Sequence, residues 1–232
     1  CTLSVRRKMK IGMKSEQTTS EYEKAIQYID QLIQQGDLQI GSKLPTERAI
    51  AEELGIGRNS TREALSILHG MGMIERVQGS GNYISKDVGS SIHRILRMML
   101  ALGTITEQEI AEFRCMMEKA VCLYLLDQGL SEEQQTCFEG LLQRMEAAST
   151  EELLELDKTF HAQLIRATGN PLCILLLESV SELYQEQIAR VLQQTDESAR
   201  RELLTQHRAI YDHLTQKHKD AMLEAIDRHY IR

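Results

Sequence analysis

Four residues in the C-terminal part of the chain carry side chains that bind transition metals. Asp157 and His161 are four residues apart in a stretch with helical periodicity, so the carboxylate and the imidazole share one helix face. His207 and His229 lie in two later stretches, each flanked by apolar residues of the core type. Together they would offer three nitrogens and one oxygen, which suits zinc, nickel, cobalt or manganese with coordination positions left open. A buried histidine is more often a structural hydrogen-bonding residue, and that alternative stays open for each one alone.

A metal at such a site could serve three purposes. It could bind a small ligand, activate water for hydrolysis, or only hold helices together. No further carboxylate or histidine is spaced as a general base near these residues, and the sequence contains no HExxH, GxSxG or P-loop motif. We therefore expect a binding site with zinc as the first choice of metal, and no enzyme. A purely structural metal and a metal-dependent hydrolase are the alternatives.

A second group of residues, in the N-terminal part, could bind a phosphate backbone. Arg58 and Arg62 are four apart at the start of a predicted helix, and Arg48 begins the helix before it. Their guanidinium groups can converge on phosphates or on guanine edges in a DNA major groove. Asn59 and Ser60 add short hydrogen-bonding side chains beside them. The alternative is that these arginines are only surface charges of a helical bundle.

The elements around these arginines have the outline of a helix-turn-helix. Apolar periodicity predicts a first helix from Tyr22 that ends before Gly36. Thr46 is the predicted cap of a second helix, which runs to Gly55. After a three-residue turn, a third helix starts around Gly57 and stops at the glycines of positions 70 and 72. Two short helices joined by such a turn are typical of DNA-binding proteins.

A β-hairpin is predicted directly after the third helix. Residues 73–78 and 82–84 alternate like strands around Gly79-Ser80-Gly81. Such a hairpin would supply the wing of a winged helix-turn-helix. Gly79 at its tip would let the backbone approach the minor groove or a phosphate closely.

The remainder of the chain is predicted to be almost entirely helical. No strand-like alternation or internal repeat interrupts it, so we expect an antiparallel all-α bundle with room for a ligand between facing helices. The predicted helices are 92–101, 106–128, 131–148, 150–168, 171–194, 197–217 and 219–231.

Length and charge support two domains. The 232 residues are generous for one core, and we expect a disordered or expression-derived tail over 1–14, a winged helix-turn-helix over 15–86 and a helical domain over 92–232. The net charge is −7, with the acidic excess in the later domain. The five cysteines form no CxxC pair, and no stretch is apolar enough to cross a membrane. We expect a soluble, cytoplasmic protein.

The N-terminal motif resembles the GntR family of regulators. The resemblance rests on Gly41-x-x-Leu44-Pro45-Thr46-Glu47-Arg48-x-x-Ala51-x-x-Leu54-Gly55, on Arg58-x-x-x-Arg62-Glu63-Ala64-Leu65 and on Gly72-Met73-Ile74. It implies that Arg48, Arg58, Arg62 and the wing residue Gly79 contact operator DNA. Neighbouring positions vary within the family, so the resemblance does not define the operator sequence.

The C-terminal part resembles the FCD ligand-binding domain of the FadR subfamily within GntR, over about 95–231. The pattern is Asp157-x-x-Phe160-His161, then Gly169-Asn170, then His207 and His229. The resemblance implies that the aspartate and these three histidines hold a metal whose coordination is completed by a small carboxylate. The other histidines match none of these positions and are interpreted as surface or packing residues; they are His69, His93, His213 and His218.

The resemblance also implies an effector pocket. It places Arg114 toward that pocket, where a guanidinium can clamp a carboxylate with two hydrogen bonds. An ion pair with Glu118 on the same helix is the equal alternative for this arginine. Asn170 follows Gly169 and is expected to terminate a helix, with contact to the effector as a second possibility.

These features together predict a homodimeric transcription factor. Its partners would be double-stranded operator DNA, read as a short pseudo-palindrome, and a small carboxylate metabolite as effector. The family resemblance favours a repressor over an activator.

Overall fold

The computed structural model of the chain describes residues 19–192 and 197–230. They form two compact units that divide between Lys86 and Asp87. The predicted tail over 1–14 lies outside the described residues. In the described part, the cysteines are free thiols and no helix is long and apolar enough to span a membrane.

The first unit contains three helices followed by an antiparallel hairpin, as predicted for a winged helix-turn-helix. Its elements are α1 (Glu21–Gln34), α2 (Glu47–Leu54), α3 (Arg58–Gly70), β1 (Ile74–Val77) and β2 (Gly81–Ile84). Their apolar faces enclose one small core, made by Ala25, Ile29, Leu38, Leu44, Ile50, Ala64, Leu65, Leu68, Ile74 and Ile84.

Capping residues define the ends of the first two helices. At the start of α1, Ser20 and Glu23 form a capping box in which each side chain accepts a hydrogen bond from the other residue's backbone N–H. At the start of α2, Thr46 Oγ1 accepts from the N–H of Ala49 at 3.2 Å. The helix ends at Gly55, whose φ of 62° favours glycine.

The start of helix α3 is capped by a side chain of another helix. Its N-cap residue, Gly57, has no side chain to accept a hydrogen bond. The Glu21 carboxylate of α1 instead accepts from the Gly57 N–H at 3.1 Å and from the Ser60 hydroxyl at 2.7 Å. A carboxylate at this position also interacts favourably with the helix dipole. The first and third helices are therefore joined where the exposed arginines of α3 begin.

The hairpin pairs Ile74 with Ile84 and Val77 with Gly81. Both isoleucines are buried, which anchors the base of the hairpin in the core of the first unit. Gly79 lies in the turn with a φ of 74°, a conformation that other residues adopt only with strain. Gly79 is exposed, and the positive φ at this position of the turn favours glycine.

The second unit is all-helical, which confirms the predicted fold class. Its elements are α4 (Gly89–Ala101), α5 (Glu107–Gln128), α6 (Glu132–Ala147), α7 (Thr150–Ala167), α8 (Pro171–Leu192), α9 (Glu197–Thr215) and α10 (Lys219–Tyr230). Helix α4 begins three residues before the predicted position 92, because Asp87 Oδ1 accepts a hydrogen bond from the Ser90 N–H at 3.1 Å and supports an earlier start. The structure has no strand among the described residues of this unit.

An aromatic cluster forms the centre of the second unit. The Phe138 ring meets that of Phe160 edge-on at 5.7 Å between centroids and that of Tyr211 at 5.4 Å. Both phenylalanines are completely buried. On its other side, the Phe160 ring lies 4.6 Å from the imidazole of His207, also edge-on. The core of the bundle therefore packs directly against one of the predicted metal-binding residues.

Candidate metal centre

The four predicted metal ligands lie together in the interior of the second unit. Asp157 and His161 come from α7, His207 comes from α9 and His229 comes from α10, and all four are buried. One ligand atom from each residue lies within 4.8 Å of the others. The Nε2 atom of His161 is 3.1 Å from that of His229 and 3.4 Å from that of His207. Asp157 Oδ1 is 3.1 Å from His207 Nε2 and 3.8 Å from His161 Nε2.

Hydrogen bonds on the far side of each imidazole orient these rings. Each histidine directs Nδ1 toward an oxygen that can only accept. The pairs are His161 with Glu118 Oε2 at 2.5 Å, His207 with the carbonyl of Leu203 at 2.9 Å, and His229 with Gln206 Oε1 at 3.3 Å. Nδ1 must therefore carry the hydrogen, and in the neutral rings every Nε2 presents a lone pair toward the centre.

This arrangement fits a divalent transition metal. Three lone pairs and a carboxylate oxygen at such separations repel one another unless a cation lies between them. Imidazole Nε2 atoms whose Nδ1–H groups are held by oxygens are the usual ligands of such ions. The donor set and its orientation could therefore hold a divalent ion of the first transition row.

The charge states of the donors suit the same purpose. Burial alone would raise the pKa of Asp157, but the close contact with His207 and the nearby His161 and His229 hold that pKa below its usual range. Burial, together with His207 and His161, holds the pKa of His229 well below its usual value. Asp157 is thus ionised and His229 neutral, the forms in which both residues bind metals.

Glu118 belongs to this site, although sequence reasoning considered it only as a partner of Arg114. It is buried in α5, and its Oε2 accepts hydrogen bonds from His161 Nδ1 and from the Tyr230 hydroxyl, the latter at 2.9 Å. Burial would raise the pKa of Glu118, but the contacts with His161, Arg114 and Tyr230 lower it. One feature of the sequence could have indicated this role: Glu118 lies on the same helix face as the apolar Val121, which is typical of a side chain that points into the core.

A pocket adjoins His161, one of the four donors. Its polar wall includes Arg114, Glu118, His161 and Tyr230. Its apolar wall is lined by Met117, Val121, Leu164, Ile165 and Leu177. Arg114 is buried, and its guanidinium carbon lies 5.4 Å from the centre of the Tyr230 ring. The structure thus places a buried cation in the wall of the pocket that His161 also lines.

Asn170 does not line this cavity. Its Oδ1 accepts hydrogen bonds from the N–H groups of Leu172 and Cys173, at 3.0 and 3.2 Å. The residue therefore caps the start of α8, whereas the sequence suggested that it terminates the preceding helix. Gly169, with a φ of 63°, follows the end of α7 and makes the turn.

The remaining histidines lie outside the metal-binding group in the described structure. His93 Nδ1 is 3.4 Å both from the carbonyl oxygen of Ser179 and from Glu182 Oε2. His213 and His218 contact one another through their rings, with centroids 5.9 Å apart. His69 lies in the last turn of α3. Their positions agree with their interpretation as packing or surface residues.

The residues predicted to bind DNA lie on the first unit and are mostly exposed. Arg58, Asn59 and Arg62 are exposed at the start of α3, and Arg48 is exposed on α2. Gly79 is exposed at the hairpin tip.

Two of these side chains already have acidic partners. Arg62 forms an ion pair with Glu47 of α2 at 3.0 Å, and Arg48 Nε lies 3.8 Å from a carboxylate oxygen of Glu52. The Ser60 hydroxyl is committed to Glu21, as described above. An exposed ion pair contributes little free energy, so a DNA phosphate could replace the carboxylate beside either arginine.

Comparison with known proteins identifies both units. Residues 21–84 match the family model described as bacterial regulatory proteins, gntR family. Residues 109–232, more than half of the chain, match the FCD domain model.

Individual relatives agree with these matches. The chain is 28% identical to the Glc operon transcriptional activator of Escherichia coli (strain K12) over 169 residues, which cover 67% of the chain and 63% of that protein. It therefore spans slightly less than two thirds of that relative. It is 30% identical to the HTH-type transcriptional regulator LutR of Bacillus subtilis (strain 168) over 156 residues, or 67% of the chain and 71% of LutR.

Among solved structures, the chain is similar to the Streptococcus agalactiae GntR protein. The TM-score is 0.70 at 25% sequence identity, and the match covers 90% of this chain and 97% of that one. Both the helix-turn-helix and the helical bundle thus have counterparts among proteins of one family. The chain belongs to the GntR family of bacterial regulatory proteins and carries its C-terminal FCD domain.

Proposed function

We propose that this protein is a DNA-binding transcriptional regulator whose affinity for its operator is controlled by a small carboxylate bound beside a metal ion. Residues 15–86 would form the DNA-binding domain, and residues 92–232 would form the effector domain. Family membership and the exposed arginines of α2 and α3 support the first assignment. The buried donor set and the adjoining cavity support the second.

The convergence of three imidazole Nε2 atoms on the Asp157 carboxylate carries the proposal for the effector domain. Asp157, His161, His207 and His229 would hold the ion, with zinc as the first choice. When bound, the metal supplies a Lewis acid with open coordination positions for ligand oxygens. The protein contributes a carboxylate oxygen and three oriented imidazole nitrogens.

The wall of the cavity would select the ligand by charge and polarity. The Arg114 guanidinium can bind a carboxylate through two parallel hydrogen bonds, which a lysine could not reproduce. Glu118 Oε1 is buried and accepts no hydrogen bond from the described residues, so it can accept one from a ligand N–H or O–H group. The apolar wall favours a short carbon skeleton.

Regulation requires that the ligand bind two states of the protein with different affinities. We propose a homodimer in which two α3 helices read the half-sites of a pseudo-palindromic operator. Repression is the sign that we propose. The E. coli relative bears the name of an activator, so transcription from a reporter with and without the protein must decide the sign.

The DNA-binding proposal is tested by replacing Arg58 and Arg62 together with alanine. The double variant should no longer shift a DNA fragment from upstream of its own gene at protein concentrations where the parent shifts it completely. If both arginines bind phosphates, the slope of log affinity against log salt should fall by about 0.9 for each. Arg144→Ala, an exposed arginine of α6 in the other unit, is the control. Equal binding by the double variant and the parent would contradict the proposal.

A further inference from the structure

Glu118 contributes no atom to the four-residue donor set, yet it contacts one of the donors. Its Oε2 accepts a hydrogen bond from His161 Nδ1 at 2.5 Å and another from the Tyr230 hydroxyl at 2.9 Å. We propose that Glu118 is a positioning residue that holds His161 in the tautomer and orientation needed for metal binding, and that Tyr230 holds Glu118 in place. The inference rests on the proposed metal site.

Tautomer selection is the first effect of this contact. A neutral imidazole carries its hydrogen on either Nδ1 or Nε2, and only the Nδ1–H form of His161 leaves Nε2 free for a metal. A carboxylate oxygen can only accept, so Glu118 stabilises that form. The side chain of His161 is almost fully buried, and no water competes easily for Nδ1.

Charge distinguishes Glu118 from the corresponding partners of the other two histidines. His207 is oriented by a backbone carbonyl and His229 by an amide oxygen, both of which are neutral. A hydrogen bond to a carboxylate is stronger, and it increases the basicity of the opposite ring nitrogen. His161 is therefore expected to be the donor whose affinity for a cation depends most on its partner.

Tyr230 connects the pair of Glu118 and His161 to the last helix, α10. Residue 229, immediately before it in α10, is itself one of the four donors. The Tyr230 hydroxyl reaches back to Glu118 on α5, and its ring lies beneath the Arg114 guanidinium. Helix α10 thus contributes one donor directly and supports another through Glu118. Glu118 and His161 both line the pocket, so the contact between them forms part of its wall.

The test measures the affinity for zinc alone, by competition with a chromogenic chelator, in the full-length protein stripped of metal. Glu118→Leu keeps most of the side-chain volume but removes the acceptor, and it should weaken zinc binding by about 10- to 100-fold. Glu118→Gln keeps an acceptor oxygen without the charge and should lie between Glu118→Leu and the parent. Tyr230→Phe removes only the second hydrogen bond and should have a smaller effect. Glu112→Gln, an exposed glutamate on the same helix, is the control and should bind zinc like the parent.

A second measurement distinguishes a positioning role of Glu118 from a role in packing alone. Nitrogen-15 NMR of the metal-free protein should show the His161 hydrogen on Nδ1 in the parent and partly on Nε2 in Glu118→Leu. Zinc binding by Glu118→Leu equal to that of the parent, or an unchanged tautomer, would overturn the inference. If Glu118→Leu does not fold, as judged by circular dichroism, the zinc affinity of Glu118→Gln is compared with that of the parent instead. Weaker binding supports the inference, and equal binding overturns it. If the parent itself binds no zinc, the proposed function fails, and the tautomer measurement still decides the role of Glu118.

Discussion

His161 Nε2 and His229 Nε2 lie 3.1 Å apart although 68 positions of the chain separate the two residues. Each ring donates a hydrogen bond from Nδ1 to an oxygen behind it, so the two facing nitrogens present lone pairs to one another. Such an arrangement is unfavourable without a cation and favourable with one.

Zinc should stabilise the protein through the carboxylate of Asp157. At a free zinc concentration 100 times the Kd, we expect the free energy of unfolding to rise by about 2.7 kcal/mol, because the ion binds only the folded state. Asp157→Asn keeps the shape but removes the anionic ligand, so most of this stabilisation should disappear. Thermal unfolding with and without zinc checks the prediction. His218→Ala, at an exposed position of the same unit, should respond like the parent, and a full response by Asp157→Asn would contradict the assignment.

Arg114 should be needed for the effector but not for the metal. Arg114→Met fills similar space without the guanidinium, so it should retain zinc while losing the thermal stabilisation that small carboxylates confer on the zinc-loaded parent. A screen of short mono- and dicarboxylates by thermal shift measures both properties. Arg144→Met, at an exposed position of α6, is the control. If carboxylates stabilise neither the parent nor the variant, the metal has a structural role only.

Gly79 should matter for DNA more than for folding. Its φ of 74° makes an alanine strained by about 1 kcal/mol, although an added Cβ would meet no other atom within 4 Å. Gly36 offers a matched control in the same unit, with a φ of 84° and the same open surroundings. Both alanine variants should therefore lose similar stability in thermal unfolding. Only Gly79→Ala should also weaken the DNA gel shift, and equal DNA binding by the two would show that the hairpin tip does not approach DNA.

Phe138 should dominate the stability of the second unit. It is completely buried and contacts both Phe160 and Tyr211, so Phe138→Ala should lower the free energy of unfolding by about 3–5 kcal/mol. Phe113→Ala, on a ring that is 37% exposed, should cost less than about 1 kcal/mol. Urea titration measures both values. Similar losses for the two variants would mean that the aromatic cluster is not the centre of this core.

Much of the fold could be predicted because it depends on neighbours in the chain. The cap at Thr46, the stop at Gly55 and the alternation around Gly79 each determine local backbone geometry, and the structure has a helix start, a helix end and a turn at these residues. The start of α4 was predicted three residues late because the stretch from Asp87 has polar residues but no apolar periodicity. There the hydrogen bond from the Ser90 N–H to the Asp87 side chain extends the helix instead.

The candidate site was predictable to a lesser extent. Asp157 and His161 share a helix face by their spacing alone, and the apolar surroundings of His207 and His229 indicated that both point inward. Glu118 could not be assigned to the site, because it lies 43 residues before His161 and reaches it only through the packing of two helices. For Asn170 the sequence suggested contact with the effector as a second possibility. In the structure its side chain caps the start of α8 and does not line the cavity.

The sequence by itself determined which segments are helical, where the hairpin turns and that Asp157 and His161 share one helix face, because these properties follow from periodicity and from caps within a few residues. Only the tertiary structure decided that four donors from three helices lie within 4.8 Å of one another, with Glu118 behind one of them and Arg114 beside the adjoining cavity. Such distances depend on how side chains of distant helices pack together. That packing is a property of the whole core and is encoded in no single stretch of the chain.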